Sequence, residues 1–138
     1  EIEVKSNEVF FLRDNQLVFP VAAKEKLVKK ADGWALDIYV FSPRPLDDLL
    51  IEPNMPKLTL VVKAKECQLA INDKAYVAAS QNRHEATYKE LPLLQGWNKV
   101  SIKIGERDKN EFSGNFRCDN RNEFLSSLKV MFVNPEVK

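Results

Sequence analysis

The chain has one histidine, two cysteines, no long apolar run and no surplus of either charge, and each shortage removes a class of function. His84 is the sole imidazole, and no Gly-X-Ser-X-Gly elbow, phosphate loop, HExxH or paired CxxC occurs anywhere in the sequence. Carboxylate pairs such as Asp47 with Asp48, or Glu106 with Asp108, sit in loop-like stretches among basic neighbours. Nothing there sets two acidities apart as acid–base catalysis requires. The expectation is a protein that is not an enzyme. A small hydrolase or lyase would need a cleft with converging titratable groups.

Basic residues number 21 and acidic residues 20, interspersed along the chain, for a formal net charge of +1. Nucleic-acid binders gather a basic excess on one face, so no nucleic-acid partner is expected. KEKLVKK, Lys24 to Lys30, is the one basic cluster, and it reads as a solvated strand or turn ahead of the alternative, a contact for an anionic partner. No apolar run approaches the roughly 20 residues that a membrane helix needs, and the opening EIEVKSNEVFF lacks the basic-then-apolar order of an export signal. The expectation is no membrane insertion, and a mature form or an excised piece of something longer. Cys67 and Cys118 are too few for a disulfide scaffold and, without histidine support, too few for zinc. Both fall on the core-facing side of strands, which leaves two free thiols or one bridge open. A bridge would favour an oxidising compartment.

What the chain does have is alternation. In WALDIYVF, Trp34, Leu36, Ile38 and Val40 point one way and Ala35, Asp37, Tyr39 and Phe41 the other, the period of a half-buried strand. The same period recurs in KLTLVVKA, CQLAI, NKVSIKI and NEFSGNFRC, each bounded by Pro, Gly, Asn or Asp. INDKAYV sets Asn72 and Asp73 between two apolar runs, and both side chains tolerate positive φ, so Cys67 to Val77 is expected to be a tight hairpin. Helix is scarce. Arg44 to Pro56 has room for one or two turns that Pro53 and Pro56 end, and Asn122 to Ser126 for a single turn before a last strand, Leu128 to Val133. Together these features predict an all-β, antiparallel β-sandwich as one domain over residues 1–138, with one or two short helical turns. Its expected core is Trp34, Leu36, Ile38, Leu60, Val62, Leu69, Ile71, Val100, Ile102, Ile104, Phe112, Phe116, Val130 and Phe132.

Candidate binding residues lie on outward faces and loops. In LQGWNKVSIKI the parity that turns Val100, Ile102 and Ile104 inward turns Trp97 outward, an expensive place for an indole. Two readings follow: Gly96 lets the chain turn so that the indole covers the edge of the core, or the indole is a platform that stacks on a sugar ring. Tyr39, Tyr88, Asn82, Arg83, His84, Asn115 and Arg117 are the polar and aromatic residues expected to join Trp97 in such a site. CDNRNE offers Asp119, Asn120, Asn122 and Glu123 as oxygen donors for a structural calcium, or as an Asx-rich turn capping the short helix; the spacing matches no defined calcium loop. No other cofactor is expected.

The run GWALDIYVFSP, the hairpin LAINDKAYV, then YKELPLLQGWNKVSIKI and FSGNFRC resemble the galactose-binding-like jelly-roll sandwiches attached to bacterial carbohydrate-active enzymes. The likeness covers about Gly33 to Val133, and Asp73 stands where glycine is common in that turn. It implies a non-catalytic carbohydrate-binding module, secreted or at the cell surface or in the periplasm of a bacterium. Its expected partners are a polysaccharide or oligosaccharide and the catalytic domain of the parent protein, typically a glycoside hydrolase. It equally implies an alternative, a sandwich that braces a neighbouring domain and binds no glycan. In that family Gly96, Trp97 and Asn98 match residues that usually do structural duty.

Overall fold

A computed structural model describes residues 9–43, 58–118 and 122–135, with the backbone alone at 122 and 123. The helical turn expected over Arg44 to Pro56 lies outside the described residues, as do the side chains of the four donors of the calcium reading. Chain order runs β1 (Phe11–Arg13), β2 (Gln16–Val18), β3 (Val28–Lys30), β4 (Gly33–Ser42), β5 (Leu58–Val62) and β6 (Cys67–Ile71). It continues with β7 (Lys74–Tyr76), β8 (Ser80–Gln81), β9 (Ala86–Leu91), β10 (Gly96–Gly105), β11 (Gly114–Arg117) and β12 (Lys129–Met131). Short 3-10 turns at Val21–Lys26, Lys109–Glu111 and Asn122–Ser127 are the helical content of the described residues.

The strands form two antiparallel sheets. One is ordered β1-β2-β11-β5-β9-β8, the other β12-β4-β10-β6-β7, with β3 also paired to β4. Taking β2, β5, β9 and β11 against β4, β6, β7 and β10, the chain changes sheet at every connection except the β6–β7 hairpin. That order is a jelly roll, the all-β sandwich expected from the alternation. The β4–β10 ladder is its longest, running in register from Gly96 opposite Ser42 to Gly105 opposite Gly33.

Alternation becomes burial. Leu36, Ile38, Val40, Val100, Ile102 and Ile104 turn inward and meet Leu60, Val62, Phe116 and Tyr88 from the facing sheet, all at most 4% exposed. Each fully buried aliphatic of this kind contributes about 1.5–3 kcal/mol. Every residue of the expected core lies in the cluster or packs against it, Trp34, Val130 and Phe132 at its margin. Phe10, Leu17 and Phe19 extend it, because Asp14 and Asn15 take positive φ (51° and 62°) and fold β1 onto β2. Asn72 and Asp73 do the same (51° and 68°) in the hairpin expected between β6 and β7. Cys118 is buried and Cys67 half-buried, and neither forms a disulfide.

Candidate functional site

The expected site residues do not converge. Trp97 and Tyr39 lie on the outward face of the β4–β10 sheet, toward the end where β4 finishes and β10 begins. Arg83 and His84 lie on the loop between β8 and β9 and line a cleft that also takes in Gly105, at the opposite end of that ladder. Asn115 and Arg117, half-buried, sit in β11 on the facing sheet. Tyr88 does not reach the surface: it is 1% exposed, pairs with inward Leu60, and its hydroxyl donates to the Cys67 carbonyl at 3.2 Å. The reason is a bulge. Leu58 opposes Leu91 but Leu60 opposes Tyr88, with Glu90 at φ 54°, so the strand changes parity between Tyr88 and Leu91. Burial raises the Tyr88 hydroxyl far above its ordinary pKa and pushes the neighbouring Cys67 thiol up to about 11.

At the end of the ladder that carries Trp97, one buried amide ties the chain together. Asn98 is fully buried; its Oδ1 accepts from the Leu94 N–H (2.8 Å) and Asn72 Nδ2 (2.9 Å). Its Nδ2 donates to the carbonyls of Leu94 (2.9 Å), Gly96 (3.2 Å) and Val40 (3.3 Å). One amide thus ties the β9–β10 loop, the β6–β7 turn and β4 together. Gly96 holds φ 90°, a conformation that suits a residue without Cβ, and so lets the chain enter β10 with Asn98 pointing in. Trp97 then points out and meets its cross-strand partner Phe41 edge-on, ring centroids 5.3 Å apart. Tyr39 and Met131 share that face, and Lys129 stands 5.8 Å over the Phe41 ring. Burial raises the Tyr39 hydroxyl as well, with the Asp37 carboxylate adding to it.

The indole that closes an end of the core is Trp34, not Trp97. Its Nε1 donates to the Glu106 carbonyl at 3.1 Å, and Lys109 Nζ lies 4.1 Å from its ring centroid.

Beside it opens a cleft of about 750 Å³, walled by the β3–β4, β5–β6, β8–β9 and β10–β11 connections. Asp108 fixes two of them. Only 8% exposed, it accepts from the backbone N–H of Lys65 (3.0 Å), Glu66 (3.1 Å) and Gly105 (3.0 Å). The third wall is fixed by amides. Asn82 Oδ1 accepts from the N–H of His84 (2.7 Å) and Glu85 (2.9 Å), while Gln81 Nε2 donates to the carbonyls of Asn82, Glu85 and Ala64. Asn82 is therefore a scaffold residue, and Arg83 and His84 are what the loop presents, exposed, to the cleft. Asp32, on the fourth wall, receives Lys103 Nζ at 2.8 and 3.0 Å on its two oxygens, which holds its carboxyl below the usual range.

Chemically the cleft offers cationic and imidazole donors beside carboxylate acceptors on held loops. Among the described residues no group of three or more His, Cys, Asp or Glu is placed to hold a metal ion. The sequence carried one signal for the cleft, the Asn82–Arg83–His84 run. It carried none for Asp108, which alternation ignores because it lies outside any strand. No protein-family model, no curated protein and no solved structure matches this chain.

Proposed function

We propose that the protein is a non-catalytic carbohydrate-binding module whose ligand occupies the cleft at the loop end of the sandwich. The observation that carries this reading is the held loop Asn82–Glu85, which sets Arg83 and His84 in one cleft with Asp32 and Glu66. A sugar hydroxyl both donates and accepts, so a wall that mixes donors with carboxylates can engage several hydroxyls of one ring. Loops fixed before binding lose little freedom when the ligand arrives. Such a module acts by proximity, raising the concentration of an attached polysaccharide-degrading domain at its substrate without chemistry of its own. Export to the surface or periplasm of a bacterium belongs to the same reading.

A second reading rests on the other end. Tyr39, Phe41 and Trp97 form one outward aromatic group, and contiguous outward apolar area marks protein interfaces. On that reading the sheet face braces a neighbouring domain of the parent protein and binds no glycan.

Affinity electrophoresis against a panel of plant, algal and host polysaccharides separates the two. Retardation by one glycan class, lost in the double variant Arg83→Ala/His84→Ala and kept in Trp97→Ala, is the expected result. Retardation by nothing on the panel would move the assignment to the bracing face.

A further inference from the structure

Resting on the cleft as the glycan site, the charges around it narrow the ligand. Of its lining carboxylates, Asp108 is held by three backbone N–H groups. Asp32 is paired with Lys103 at 2.8 Å, and Glu106 with Lys29 at 3.5 Å. Both of those lysines stand outside the cleft wall. The cations are in the opposite condition. Lys63, Lys65, Arg83 and Arg107 all line the cleft, and among the described residues none of their side chains has an ion pair or hydrogen bond. Glu66 and Glu111 are the lining carboxylates left without such partners. Of the cleft's five carboxylates, two are thus paired with lysines from outside it, one is bound by backbone N–H groups and two are unpaired, while among the described residues its four bases have no partner.

We infer that the cleft takes a saccharide bearing an anionic substituent, a carboxylate or a sulfate, gripped by Arg83, Arg107, Lys63 and Lys65. The chain as a whole is nearly neutral at +1, so this preference is local to the cleft. A guanidinium suits both groups, since each presents two or more acceptor oxygens to its planar fork. Exposed side chains make the grip depend strongly on salt.

The test measures affinity for four probes: a polyuronate oligosaccharide, its carboxyl-reduced counterpart, a sulfated galactan oligosaccharide and its desulfated counterpart. Each is titrated by calorimetry at about 0.05 M and about 0.5 M salt, spanning Debye lengths on either side of a contact pair's neighbourhood. At least one acidic probe is expected to bind about tenfold tighter than its neutral twin at low salt, with most of that advantage gone at high salt. Comparing the two acidic probes tells carboxylate from sulfate. Arg83→Ala and Lys65→Glu, both at exposed positions, should each lower acidic-probe affinity about five-fold or more, while Lys129→Ala on the aromatic face leaves it unchanged. Equal binding of the acidic and neutral twins, or a loss in Lys129→Ala instead, would overturn the anionic assignment while leaving a glycan-binding module. Binding of no probe and of nothing on the wider panel would overturn both.

Discussion

The two ends of the β4–β10 ladder are each tied by one buried polar side chain, but the ties leave different things over. Asn98 is an amide, donor and acceptor at once, and its five hydrogen bonds return to the backbone and to Asn72. Asp108 is a carboxylate that only accepts, and it binds loop N–H groups while the side chains of those loops stay directed at solvent. The Asn98 knot joins strand and turn backbone, and the Asp108 knot holds the walls of a cleft. The proposed binding site is at the second, although the tryptophan that catches the eye in the sequence sits at the first.

The largest expected effect breaks the Asn98 knot. Asn98→Ala leaves the Leu94 N–H and the Asn72 amide without their acceptor in a fully buried site, and should lower unfolding stability by about 4 kcal/mol in urea denaturation. Next comes the contrast between indoles. Trp34→Ala removes a ring that covers the core and holds Glu106, and should cost about 3 kcal/mol, whereas Trp97→Ala, losing one edge contact with Phe41, should cost about 1 kcal/mol. If thermal melts rank them the other way, the lid is Trp97 after all. Third, Asp108→Asn turns one accepting oxygen into a donor facing a backbone N–H. It should cost about 2 kcal/mol and weaken glycan binding with it, because the walls it holds are the cleft.

The last effect is a pH effect. The Cys67 thiol sits at about 11 in the folded chain against about 9 unfolded. Its protonated form is therefore favoured by folding, and the stability this supplies is complete below pH 9 and lost as pH rises toward 11. About 2 kcal/mol should disappear over that window. Cys67→Ala should flatten the slope between about pH 9 and 10, above which the raised Tyr88 and Tyr39 hydroxyls add a slope of the same sign; persistence of the slope below pH 10 would assign it to another group.

Much of the sandwich is legible in the sequence, because a period of two over five to ten residues has few physical alternatives. WALDIYVF and NKVSIKI became the central ladder, and Asn72–Asp73 became its neighbour's turn. Asp14–Asn15 carries the same turn chemistry, yet its flanking strands are three residues each, too short for alternation to show. Tyr88 reads as outward when counted back in twos from Leu91, and the bulge at Glu90 inverts that count. The cleft was the least legible part. Its walls come from around residues 32, 65, 83 and 107, which only the crossings between sheets bring together, so no spacing along the chain could announce it.

The central claim is that ligand binds in the cleft whose walls Asp108 holds, not on the aromatic face. It is tested most directly by amide chemical-shift mapping with the tightest-binding saccharide from the panel. Shifts are expected in residues 63–66, 82–85 and 105–108, with β4 and β10 near Phe41 and Trp97 unmoved. Shifts confined to Tyr39, Phe41 and Trp97 would contradict it.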